Sequence, residues 1–321
     1  MKGYLVFTTT LCVAVSFLGP TPAGAQYNGH NTKGDFGLMS GSQPPPGFYL
    51  APIYVRYGAD TLRNNDGDPV GPDPYQRGSL TVNAYVLGLI WVSEFKIFGA
   101  NYSIQAFPAF TDNALEVPIL GVDEGVETGF ADLYIQPINL GWHTARTDFV
   151  VGLGIYAPTG RYESDGDENL GLGMWSLELF GGTTVFLDKA KRWHLAAAAF
   201  YETHTEKEDT DIQVGDLLTI EGGLGWSFLD GAANLGVAYY GQWKVTDDDL
   251  GLDFDLPVDL PIGKHRVYGV GPELTIPIAT KKKLIGFLNA RYFWETGARS
   301  TLEGNNFVFT ATFPIPSVPL Q

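Results

Sequence analysis

The sequence predicts an all-β protein, an antiparallel up-and-down transmembrane β-barrel of about twelve strands. Three observations predict it. Segments alternate apolar and polar residues with a period of two over stretches longer than soluble strands. The connections between them alternate short and long. The N-terminus has the three-part plan of an export signal.

The alternating segments run in order through the chain: 49–59, 79–92, 96–110, 130–141, 147–157, 174–187, 193–203, 218–228, 234–245, 266–278, 284–295 and 306–313. In 79–92 one face reads Leu80, Val82, Ala84, Val86, Gly88 and Ile90, and the other begins Ser79, Thr81, Asn83, Tyr85. In 96–110 Phe98, Ala100, Tyr102, Ile104 and Ala106 oppose Gly99, Asn101, Ser103 and Gln105. Leu218, Ile220, Leu224, Trp226 and Phe228 oppose Thr219, Glu221, Gly223 and Ser227, and Leu235, Val237, Tyr239 and Trp243 oppose Asn234, Gly236, Gln242 and Lys244. Soluble strands average about 5–6 residues. A tilted strand crossing a bilayer needs about 9–11. Pro137, Pro272 and Pro277 weaken two segments, because proline donates no ladder bond. Trp91, Phe110, Trp142, Trp193, Trp226, Phe228, Trp243, Trp294 and Phe313 gather near segment ends, as interfacial girdles do.

Short connections are expected at 93–96, 143–146, 188–192, 229–232 and 279–283, and long ones at 60–76, 111–127, 159–170, 204–215, 246–263 and 296–305. Membrane barrels have short periplasmic turns and long external loops. A β-sandwich has no reason to keep that parity. The long connections are acidic, as in Asp165-Gly166-Asp167-Glu168, Asp247-Asp248-Asp249 and Asp253, Asp255 and Asp259. The short ones are basic, as in Lys189, Lys191, Arg192 and Lys281-Lys282-Lys283.

Lys2, the apolar run Tyr4 to Leu18, the breakers Gly19-Pro20 and the exit Ala23-Gly24-Ala25 make residues 1–25 a signal peptide cleaved before Gln26. Residues 26–46, with Pro44-Pro45-Pro46, form an irregular periplasmic tail or plug. The barrel spans 47–313, and 314–321 is a C-terminal tail. The one cysteine, Cys12, lies in the signal, which leaves no disulfide, thiolate metal site or cysteine nucleophile. The net charge of -16 argues against nucleic-acid partners.

Three stretches resemble one family, the outer-membrane transporter-like proteins associated with the meta-pathway of phenol degradation. They are Ser40-Gly41-Ser42-Gln43-Pro44-Pro45-Pro46-Gly47-Phe48-Tyr49; Gly129-Phe130-Ala131-Asp132-Leu133-Tyr134-Ile135-Gln136-Pro137 running on to Leu140-Gly141-Trp142; and Tyr156-Ala157-Pro158-Thr159-Gly160-Arg161-Tyr162 followed by Asn169-Leu170-Gly171. The resemblance implies a barrel in the bacterial outer membrane that passes hydrophobic or aromatic compounds.

If the apolar faces meet lipid, the polar faces meet the lumen, since Arg or Lys at the bilayer midplane costs about 2–4 kcal/mol. The expected lumen and permeation residues are Arg56, Asn83, Asn101, Gln105, Asp132, Gln136, Asp148, Glu178, His194, Glu202, Glu221, Gln242, Lys244, Glu273, Arg291 and Glu295. Asn289 joins them, with Tyr85, Tyr156, Phe180, Phe200, Tyr240 and Phe287 as lumen aromatics. The leading expectation is a passive channel for small molecules. Its partners are outer-membrane lipid, lipopolysaccharide and the assembly machinery, and no enzymatic activity, catalytic residue, cofactor or metal is expected. One alternative is a structural or adhesive barrel with acidic external loops. Another is a barrel hydrolase, in which His194 faces Ser176 or Glu178 across a hairpin. The Asp66-Gly67-Asp68 and Asp165-Gly166-Asp167 stretches lack the terminal Glu of a twelve-residue calcium loop.

Overall fold

Alternating side chains commit these segments to pleated strands, because β-branched and aromatic residues fill a strand face well. In the computed structural model, residues 28–70, 79–117, 122–164, 166, 168–229, 231–251, 264–316 and 318–319 are described. The signal segment and the acids Asp165, Asp167, Asp253, Asp255 and Asp259 lie outside the described residues.

The strands are β1 (Gly47–Leu62), β2 (Ser79–Ile97), β3 (Ala100–Phe107), β4 (Ala109–Val117), β5 (Val122–Phe130), β6 (Leu133–His143), β7 (Thr147–Ala157) and β8 (Ser176–Phe186), followed by β9 (Trp193–His204), β10 (Leu217–Phe228), β11 (Ala233–Lys244), β12 (Arg266–Ala279), β13 (Lys283–Arg299), β14 (Leu302–Ile315) and the short β15 (Val318–Pro319). All ladders are antiparallel, and β1 pairs with both β14 and β2, so the sheet closes. β3 and β4 are the two halves of one barrel strand, broken at Pro108 and both paired to β2. β5 and β6 are likewise halves of the next, broken at Ala131-Asp132. The result is a closed twelve-stranded antiparallel barrel.

The exterior is apolar. Leu195, Leu224 and Val237 stand abreast on three adjacent strands and are all exposed. A belt of this kind on a closed barrel is a lipid-facing surface. Exposed Trp91, Phe98, Trp193 and Trp226 ring the short-turn end, and Phe110, Phe130, Trp175 and Trp294 ring the other. Inside, small residues admit large ones: a Cβ on Gly152 would stand 2.2 Å from Phe180 Cζ.

Several expectations are corrected. Residues 111–117 and 122–127, and most of 296–305, are strand rather than long loop, as β4–β5 pair up to Val117–Val122 and β13–β14 are separated by two residues. The first short turn lies at Phe98-Gly99, both with positive φ, rather than at 93–96. β14 runs to Ile315, beyond Phe313. The largest correction is the facing of β1 and β2. Ala51, Val55 and Ala59 are buried on the inner face of β1, in register with Gly88, Ala84 and Leu80, which therefore point inward with Val82, Val86 and Ile90. Tyr85, Leu87, Leu89 and Trp91 point out to lipid.

Candidate functional site

The N-terminal segment 28–46 runs through the barrel interior. Its start meets Ser176 and His204, which lie at the long-loop ends of β8 and β9, and Ser42 and Gln43 meet Asp148 and Ser103 near the short-turn end. With no strand partners of its own, its backbone N–H groups need other acceptors. The wall supplies carboxylates. Glu202 accepts from His30 N (2.8 Å) and Asn31 N (2.9 Å). Glu221 accepts from Gly34 N and Phe36 N, both at 2.7 Å. Glu273 accepts from Leu38 N at 2.9 Å, and Arg291 Nη1 donates to Asp35 O at 2.6 Å. Lys33 Nζ pairs with Glu295 at 2.9 Å, and Gln242 donates to Asn31 O. Such charge-assisted bonds are the strong ones.

Apolar contacts follow the same track. Phe36 stacks on Phe200, which stacks on Phe180. His30 stacks on Tyr156 at 4.7 Å, Tyr156 on Tyr134 at 4.1 Å, and Tyr134 on Phe107. Gly41 passes so close to β8 that an added Cβ would stand 2.0 Å from the Thr183 carbonyl carbon.

The residues expected in the lumen divide accordingly. Asp132, Glu178, Glu202, Glu221, Gln242, Glu273, Arg291 and Glu295 converge on the segment, with Asp148 taking Ser42. Asn101 donates to Ser93 O beside the first short turn, while Gln105 and the buried Gln136 pair across β3 and β6. Lys244 is buried against Asp248. Tyr156, Phe180, Phe200 and Tyr240 are buried inside, and Phe287 shares the inward parity of Arg291.

Arg56 and Asn83 are corrections. They lie abreast on the outer face, Arg56 exposed, bonding each other, and Asn83 donates to Asp112 on β4. The rule that polar side chains turn inward fails here because both faces of β1–β2 are mostly apolar. Tyr85 is likewise outside. His194 is buried inside as expected, but its expected pairing is corrected: it lies across from Phe186 and Gly225 and contacts Ser227 Oγ at 3.3 Å, while Ser176 lies opposite His204 and Glu178 opposite Glu202.

One sector of the inner wall is left largely uncovered by the segment. Ile53, Val82, Ala84, Val86, Ile90 and Phe107 face inward and are only half-buried, whereas the inward residues of β9 and β10 are almost wholly buried. The sequence hid this corridor by making it look like a lipid face. It also gave no sign of His30, an irregular-segment residue whose partner Glu202 is 172 positions away.

A solved structure, the COG4313 outer membrane channel from Pseudomonas putida F1, is similar with a TM-score of 0.69 at 15% identity, covering 88% of this chain and 99% of that one. The β domain of the Bordetella autotransporter BrkA aligns at a TM-score of 0.45, 14% identity, 84% of this chain and 99% of that one. No curated protein sequence matches. The architecture is that of an outer-membrane barrel. A family model described as "Putative MetA-pathway of phenol degradation" matches residues 59–311, and the chain belongs to that family.

Proposed function

We propose that this chain is an outer-membrane channel that passes small hydrophobic or aromatic molecules by diffusion along the β1–β4 side of the lumen. The observation that carries the reading is the half-buried apolar wall of Ile53, Val82, Ala84, Val86 and Ile90, facing inward beside a segment that is hydrogen-bonded to β8 through β13. Water-filled pores line their walls with polar side chains. An apolar wall instead lowers the free energy of an apolar solute that leaves water, by about 25 cal/mol per Å² covered. Phe107 and the Tyr134–Tyr156 stack, which closes on His30, add aromatic faces at its edge. The likeness to an outer membrane channel supports a channel, and the family's phenol-degradation description fits an aromatic solute.

The test is solute uptake into vesicles whose lipopolysaccharide leaflet slows apolar solutes. Phenol should enter faster with the protein present, and a pentose of similar mass should not. Val86→Arg puts a charge across the corridor and should remove most of the phenol uptake. Phenol uptake equal to that of protein-free vesicles would refute the proposal.

A further inference from the structure

Where the N-terminal segment enters the lumen from the long-loop end, three metal-ligand side chains converge. One potential ligand atom from each of His30, Glu202 and His204 lies within 4.8 Å of the others. The two histidine nitrogens stand 3.6 and 3.5 Å from the carboxylate oxygen. Two ligands of a tetrahedral zinc ion are separated by about 3.3 Å, given metal–ligand bonds of about 2.0–2.1 Å. Ser176 Oγ lies 2.7 Å from both imidazole Nδ1 atoms and bridges them by hydrogen bonds, so a metal bound there would have to displace this hydroxyl or draw it out to ligand spacing.

The surroundings match what a metal-bound histidine needs. His30 Nε2 lies 2.9 Å from Asp132 Oδ2. A carboxylate there fixes the Nε2–H tautomer and leaves Nδ1 as the free donor. Asp132 is itself held by Gly160 N at 2.9 Å and Leu172 N at 2.7 Å. The His30 ring is stacked on Tyr156, and Glu202 is anchored by two backbone N–H groups. Glu202 and His204 occupy i and i+2 on one strand and so share a face. Both of their side chains are shut off from solvent; a metal on His204 Nδ1 would put the ring proton on Nε2, which has no protein acceptor and needs a water there.

We propose that His30, Glu202 and His204 bind a divalent transition-metal ion of the zinc class, with Ser176 or a water as fourth ligand and Asp132 as the positioning group. The ion then clamps the N-terminal segment to β9. The Asp132–His30–Ser176 line also resembles a hydrolase relay, but Ser176 is buried and its hydroxyl is shared with a second imidazole.

The experiment uses the full folded barrel in detergent, treated with chelator and dialysed. Zinc is added and the bound metal measured by atomic emission. One tightly bound zinc per chain is expected. His30→Ala and His204→Ala should abolish it, and Asp132→Asn should weaken it about 10-fold or more, as loss of such an outer partner does. Because His30 is outside the wall, its variant keeps the barrel intact, checked by heat-dependent gel mobility. Cobalt(II) should give the visible bands of a tetrahedral site in the parent and none in His30→Ala. Absence of stoichiometric zinc, or equal binding by the variants, would overturn the assignment. So would labelling of Ser176 by a fluorophosphonate, which marks a hydrolase.

Discussion

Glu221 holds the middle of the N-terminal segment, and its loss should release that segment from the wall. Its carboxylate is almost wholly buried and accepts the Gly34 and Phe36 N–H groups, each at 2.7 Å. Glu221→Ala removes both acceptors. A buried N–H left unpaired costs about 1–3 kcal/mol, so the docked arrangement loses about 2–6 kcal/mol unless water enters. The lower bound already shifts the docked-to-released ratio by more than tenfold, as about 1.4 kcal/mol is a factor of ten. The shift is read by hydrogen exchange at Gly34 and Phe36, with β10 amides as an internal reference. Protection of the two should fall by at least tenfold while β10 keeps its own. Planar-bilayer conductance should rise as the lumen clears. Unchanged protection at Gly34 and Phe36 in a folded Glu221→Ala barrel would refute the idea that the wall carboxylates dock the segment.

Other outcomes follow from the same structure. Gly41→Ala should undock the lower half of the segment, because its Cβ would meet the Thr183 backbone at 2.0 Å; proteolysis of residues 41–46 from the short-turn side reads this. Leu224→Arg, on the lipid belt, should lower refolding stability by about 2–4 kcal/mol, whereas the same change at an external loop should not. Lys207 ties two external loops by donating to Leu172 O at 2.6 Å, and burial pulls its ammonium down to about 8. Its pKa is thus lower closed than open, so protonation disfavours closure. That penalty, about 3 kcal/mol for the cited shift, is full below pH 8 and fades as pH rises towards the ordinary lysine value. Exchange protection of residues 205–216, corrected for intrinsic rate, should therefore rise between pH 8 and 10.5 and stay flat in Lys207→Met.

Strand positions and the lipid belt were legible because lipid on one side and polar groups on the other impose a period of two; β8 to β11 follow it over most of their length, with Phe180, Phe200 and Tyr240 as inward apolar exceptions. The same logic misread β1 and β2. There Ala84 and Val86 face a corridor as apolar as the membrane, so hydropathy carries no information about which side is out, and Arg56 and Asn83 were turned inward by default. Tertiary closure decides that facing, through the register of Ala51 with Gly88. Strand length at 296–305 was also hidden, since Thr296-Gly297-Ala298-Arg299-Ser300 carries no apolar–polar alternation. The convergence of His30 on Glu202 was not readable, because an aperiodic segment carries no facing signal. Glu202-x-His204, two metal-ligand types on one strand face, was the single hint available.

The corridor itself is most directly tested by photolabelling. A small photoactivatable aromatic solute, irradiated with the barrel in lipid, should modify Ile53, Val82, Val86 and Phe107, and excess phenol should compete. Labelling confined to the outer belt around Leu224 and Val237, with those inward residues untouched, would contradict an apolar path through the lumen.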